Sequence, residues 1–349
     1  MGGVLFGFLG DLVSKYKILI LSMLMMGSSS VLIAFLPGYN YWGYYSIILL
    51  VVFRIMQGIG MGAELPNSLS LLNEKLRGYK ASKYFSIIGI SFPIGTIVAS
   101  LSINFISIIF TETQINDWAW RLIFLFGGCV AFIIFYARKI ILNNIEQEDR
   151  RTVARELFGT LRKQVLQIIL MVGIIFVPGS LIIQAFFYIS YFISEKAISS
   201  EFVYFSFSLS LIVMIFSIIF FGYIAEYIGK VKTLAISFIA VSIIAIPLFE
   251  MAINPSEIKI LMFFIIQKIF VGCMIACYLP LVVEVFPTSI STTASAISYN
   301  FAAILASLTP SLLLVLIHEL GYSSVGYFYM TITIIGVFFL FFLSKMVSK

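Results

Sequence analysis

The sequence predicts an all-α membrane protein organised as two related helical bundles, and three observations carry that prediction. Of 349 residues, 61% are hydrophobic and 11% charged, too little polar surface to coat a soluble globule. Apolar runs close to the 20 or so residues that a helix needs to cross a bilayer recur along the whole chain. Eleven residues near the start align without a gap with eleven residues 215 positions later. Helices rather than strands follow because backbone groups in lipid are satisfied within each segment, and the weak alternation of a transmembrane barrel is absent.

The apolar spans, taken in order, are 18–36, 44–72, 83–109, 121–137, 165–192, 202–222, 233–251, 258–283, 293–317 and 323–344. An opening stump, Gly2 to Leu9, is too short to cross alone. Every second connection is basic: "GDLVSKYK", "NEKLRGYKASK", the long 138–164 segment, "EYIGKVK" and "SKMVSK" carry Lys or Arg, whereas "LPGYNYWG" and "HELGYSS" carry none. Seventeen of the 22 Lys and Arg fall on one side, only Arg121, Lys196 and Lys259 on the other, and Arg54 and Lys268 lie inside spans. The Lys/Arg bias marks the cytoplasmic side, so the C-terminus is inside and the stump descends toward the cytoplasm. The net charge of +6 therefore speaks of topology, and no nucleic-acid partner is expected. Cys129, Cys273 and Cys277 sit in apolar runs as packing residues, and no disulfide or metal site is expected.

The internal repeat sets the domain organisation. In "GFLGDLVSKYK" (7–17) and "GYIAEYIGKVK" (222–232), Gly7 aligns with Gly222, Asp11 with Glu226, Lys15 with Lys230 and Lys17 with Lys232. Glycine permits close helix approach, and the acid faces basic groups or a helix N-terminus at the inner surface. Three parts are expected: an N-terminal bundle over 1–137, a cytoplasmic loop over 138–164 and a six-helix C-terminal bundle over 165–349.

This Gly-x-x-x-Asp-x-x-x-Lys loop, present twice at half-molecule spacing, resembles the signature of the major facilitator superfamily, whose two six-helix halves are parallel repeats. "RIMQGIGMGAE" (54–64), "WAWRLIF" (118–124) and "VVEVFPTSISTTASAISYNFAAILASLTP" (282–310) resemble the metabolite:proton symporters within it, carriers of proline and betaine, oxoglutarate, citrate or shikimate. The resemblance implies a first helix upstream of Gly2, so the chain is expected to lack helix one and the first half of helix two. It departs at "FPTSIST", where the family has Arg after Phe-Pro-Thr, and no cytoplasmic charge contact carries over to that loop.

Candidate functional residues lie where polar groups are expensive. Arg54, about ten residues into its span, shares one stripe with Gln57, Met61 and Glu64 at 3-4-3 spacing. A charge inside a membrane marks a pathway or a functional ion pair by default; Glu64, deeper toward the cytoplasm, suits a gate or a packing contact. Gly58 and Gly62 have the small-xxx-small spacing that brings helices together. Pro93 and Gly95 suggest a bend in the span 83–109. In the second half Gln267 and Lys268 are the repeat counterpart of Arg54, with Glu284 and Glu250 as conceivable partners. Gln184, Tyr188, Tyr191, Tyr299 and Asn300 are candidates for lining a cavity, Asn300 foremost because an amide in mid-helix seeks a partner. "TVARELFGTLRKQ" is an amphipathic helix suited to the inner leaflet. His318, the single histidine, lies at an outer helix end beside Glu319 and carries no expected role.

The expectation is thus a multi-pass, monomeric protein of the bacterial inner membrane, with no cofactor and no enzymatic motif. It carries a small zwitterionic or carboxylate metabolite of proline or betaine type together with protons. The alternative from a different class is a shortened, non-transporting membrane remnant; an uptake-competent form is expected to need an upstream segment supplying the missing helices.

Overall fold

The computed structural model describes residues 2–76, 82–143 and 154–347. Its helices are α1 (Gly2–Leu12), α2 (Lys15–Ala34), α3 (Tyr39–Trp42), α4 (Tyr44–Lys75), α5 (Ser82–Gly89), α6 (Ser91–Ile109), α7 (Glu112–Gln114), α8 (Trp120–Asn143), α9 (Ala154–Lys163), α10 (Val165–Ser194), α11 (Ser200–Ile228), α12 (Lys230–Glu250), α13 (Glu257–Glu284), α14 (Ser291–Ser307), α15 (Thr309–Leu320) and α16 (Ser323–Val347), with a π-helical turn at Ile115–Ala119 between α7 and α8. Among the described residues there are ten helical stretches long and apolar enough to cross a membrane, one for each expected span. The repeat is reproduced in register: α2 begins at Lys15 and α12 at Lys230, 215 residues on.

Two spans are broken at corresponding places. The stretch 82–109 is interrupted at Ile90, three residues before Pro93, and 291–320 at Leu308, two before Pro310. Proline lacks the N–H that would bond one turn back and its ring crowds that carbonyl, so each helix bends just ahead of it. The bend expected at Pro93 is therefore present, and Pro310 supplies its twin in the second half.

The described residues within 1–71, 96–162 and 287–300 form one compact unit, and those within 72–95, 163–286 and 301–349 another. In the first, Phe6, Ile18 and Ala63 make a small core joined by Leu9, Met25 and Ile59. The amphipathic helix α9 belongs here, with Leu157 fully buried and the Phe158 ring 5.3 Å from that of Phe8. In the second, an aromatic core joins four helices: Tyr188 and Phe192 of α10, Phe249 of α12, Phe263 and Phe264 of α13 and Tyr329 of α16. The short helix α5 packs in this unit against α11 and α13.

Glycine positions correct one sequence expectation. Nothing lies within 4 Å of a methyl group placed on Gly58, whereas one on Gly60 would come within 2.8 Å of the Ser22 carbonyl oxygen in α2. A methyl on Gly62 would come within 3.1 Å of the Gly3 nitrogen. The close approaches are therefore at Gly60 and Gly62, on two sides of α4, because α4 packs against α1 and α2 with different faces.

Candidate functional site

The two copies of the loop signature do related work with unequal strength. In the first unit Asp11, 6% exposed, ends α1 against the start of α14. Its carboxylate accepts the backbone N–H of Thr292 (3.3 Å) and of Thr293 (2.7 Å) and the Thr293 hydroxyl (2.7 Å). Those N–H groups are orphan donors at a helix N-terminus, where a negative charge is favoured. Gly7, one turn back, admits α14: a methyl there would lie 2.6 Å from Ala296 Cβ. Lys15 Nζ donates to Ser70 Oγ at 2.8 Å and stands 3.9 Å from Asp11, and the Thr292 hydroxyl also reaches Ser70 at 3.0 Å.

In the second unit Gly222 lies against Ser86 so closely that a side chain would strike its hydroxyl. Half-buried Glu226 accepts the backbone N–H of Lys83 at 3.2 Å, its one hydrogen bond among the described residues, at the start of α5. Lys230 is paired with Glu284 of α13. Of the two acids considered beside Lys268, Glu284 is thus engaged elsewhere. The sequence left basic groups or a helix N-terminus as the acid's partner; the tertiary structure selects helix starts, those of α14 and α5.

Along α4 the polar stripe divides in two. Arg54 donates to Gln57 Oε1 at 3.3 Å, its guanidinium stands 4.9 Å from the centroid of the Phe124 ring, and Gln57 donates to Ser30 of α2 at 2.7 Å. Glu64 pairs instead with Arg138 of α8 at 2.5 Å and accepts from Ser22 at 3.0 Å. Met61 between them is exposed. Asn300 has found the partners an amide needs: its Nδ2 donates to the Gly62 carbonyl (3.2 Å) and the Ala296 carbonyl (2.8 Å), and it abuts Gly3. Tyr299 beside it is half-buried.

The second unit contains the most costly polar arrangement. Lys268 is 1% exposed and, among the described residues, has no carboxylate within ion-pair distance; its Nζ stands 5.3 Å from the centroid of the Phe207 ring. Gln267 and Gln184 are likewise buried, and among the described residues both amide atoms of each lack a hydrogen-bond partner, as does the Ser206 hydroxyl. An unpaired buried polar group costs about 1–3 kcal/mol and a charge more, so the set is a place where a bound polar group or water would be favoured, and a candidate functional site. Arg138, Ser22, Ser30, Ser206 and Phe207 were not singled out from the sequence: a serine or phenylalanine in an apolar run carries no signal until its neighbour is known, and Arg138 counted only as a loop charge.

Ten apolar spans, a twofold repeat and buried polar residues on several spans define a polytopic carrier of the parallel-repeat kind. The chain belongs to the Major Facilitator Superfamily, whose family model matches residues 1–310 and, in a second match, 189–349. It is 27% identical over 348 residues to the inner membrane metabolite transport protein YhjE of Escherichia coli, covering 93% of this chain and 77% of that one. With the proline/betaine transporter of E. coli it shares 26% identity over 365 residues, covering 97% and 70%. Among solved structures the proton:xylose symporter XylE has the same fold, at a TM-score of 0.68 and 17% identity over 97% of this chain and 82% of that one. The protein is therefore a multi-pass transporter of the bacterial inner membrane and not an enzyme.

Proposed function

We propose that the protein is a secondary active transporter that takes up a small zwitterionic or carboxylate metabolite, of proline or betaine type, in symport with protons. The observation that carries this reading is Lys268, a lysine buried in a transporter fold with no carboxylate partner among the described residues and flanked by amides that likewise have none there. The names of the two E. coli relatives support the substrate class, and XylE provides a proton-coupled precedent on the same fold. Uptake follows from alternating access by two bundles, 1–137 and 165–349, joined by the 138–164 loop, within one monomer. Arg54 and Gln57 serve on the N-terminal side, Lys268 and Gln184 on the C-terminal side, with Tyr299 and Asn300 on the helix between residues 291 and 307. Glu64, tied to Arg138, is the candidate for coupling on the cytoplasmic side.

Right-side-out vesicles from cells producing the protein from its native reading frame test the proposal. Labelled proline or glycine betaine should accumulate under an imposed inward proton gradient and leak away on adding a protonophore. Arg54→Gln and Lys268→Gln should abolish accumulation at near-normal abundance. Accumulation that survives the protonophore would exclude proton coupling, and lost abundance with unchanged uptake per molecule would reduce both residues to structural parts.

A further inference from the structure

Within the second unit two of the amides that lack a hydrogen-bond partner among the described residues, those of Gln184 and Gln267, fall at one level of the helix bundle. The rings of Tyr188 in α10 and Phe263 in α13 are 4.8 Å apart. Because successive spans alternate in direction, α10 and α13 run antiparallel. Four residues back along α10 from Tyr188 is Gln184, and four residues on along α13 from Phe263 is Gln267; both steps go toward the cytoplasmic side, by about 6 Å at 1.5 Å per residue. A four-residue step also keeps to one helix face, so the two amides share the α10–α13 seam at one depth. Lys268 follows Gln267, and its side chain stands beside Phe207 of α11, whose ring packs 5.6 Å from Phe264 and 5.6 Å from Phe186. Ser206, with its buried, unpartnered hydroxyl, is the residue before Phe207.

Resting on the transport reading above, we infer that Lys268, Gln267 and Gln184 form a carboxylate-anchoring subsite, with Ser206 as a supplementary donor. The chemistry of the set selects the ligand. A lysine amine, two primary amides and a hydroxyl offer many donors and no anionic acceptor, and a carboxylate, which favours the protonated amine, has about four lone-pair positions to receive them. A cationic group would meet the ammonium at close range, and a neutral polyol would leave the charge uncompensated in a low-dielectric seam. The Phe207 face holds the ammonium from one side, leaving its N–H groups to point elsewhere. The anion of the substrate is thus taken by the C-terminal half, whatever holds its other end.

Thermal unfolding of the purified protein in detergent, with matched solute pairs, decides the matter. The probes are L-proline against L-prolinamide, glycine betaine against choline, and succinate against succinamide. At least one carboxylate should raise the unfolding midpoint while its neutral or cationic counterpart does not. Lys268→Met should weaken that response at least tenfold and leave the ligand-free midpoint unchanged or higher, since an unpaired buried charge has been replaced by an apolar chain of similar length. Gln267→Leu gives a second, milder variant with the same expectation. No carboxylate-specific shift, or one that Lys268→Met leaves intact, would overturn the assignment. Binding that survives when vesicle uptake is absent refutes the transport reading and upholds the subsite; proton-driven uptake that is unaltered in Lys268→Met does the reverse.

Discussion

Asp11 and Glu226 occupy equivalent places in the repeat, yet their removal should have unequal cost. In Asp11→Asn the buried carboxylate that accepts from Thr292 N–H, Thr293 N–H and the Thr293 hydroxyl becomes an amide with a single acceptor oxygen. Hydrogen bonds to a charged group contribute about 1.5–3 kcal/mol, and a carboxylate at a partly buried helix N-terminus up to about 2 kcal/mol. Relief of the carboxylate's own desolvation offsets part of this, so the net loss should be about 2 kcal/mol. Asp11→Ala, which leaves three donors facing a void, should lose about 3–5 kcal/mol. Among the described residues Glu226 accepts a single N–H at 3.2 Å and is half-buried, so Glu226→Gln should cost less than about 1 kcal/mol. Unfolding can be followed with a thiol-reactive fluorophore in a Cys129→Ser background, because Cys273 and Cys277 are buried and Cys129 is exposed. The expected midpoint falls are about 4 °C for Asp11→Asn and less than about 2 °C for Glu226→Gln. Equal falls, or a larger one for Glu226→Gln, would refute the claim that the α14 N-terminus makes the first copy the stronger.

Two other predictions follow from packing and charge. Gly60→Ala forces a methyl against the Ser22 carbonyl and should cost about 1–3 kcal/mol, whereas Gly58→Ala, into open space, should be neutral or stabilising by up to about 1 kcal/mol; similar losses at both would restore the small-xxx-small reading of Gly58. Reporter fusions after Lys163 and Lys349 should both report cytoplasm and one in the 37–43 loop the outside, and a cytoplasmic signal from that loop would overturn the span assignment.

The ten spans, the repeat and the family were legible in the sequence because each is a one-dimensional property. Apolar length, loop charge and the spacing of Gly7, Asp11 and Lys15 against Gly222, Glu226 and Lys230 can all be counted along the chain. The polar candidates were found by the same logic, since a charge or amide inside an apolar run stands out whatever surrounds it. What each of them meets was a matter for tertiary structure. Glu64 is bound by Arg138, Glu284 by Lys230 and Asn300 by the Gly62 carbonyl, while among the described residues Lys268, Gln267 and Gln184 meet no such partner. Gly58 and Gly60 look alike in sequence, yet one faces open space and the other the α2 backbone. The physical reason is that a helix turns 100° per residue, so a small rotation of one rod against its neighbour exchanges which side chain is buried, paired or bare. That rotation is set jointly by side chains on several helices far apart in sequence, and only their packing together decides it.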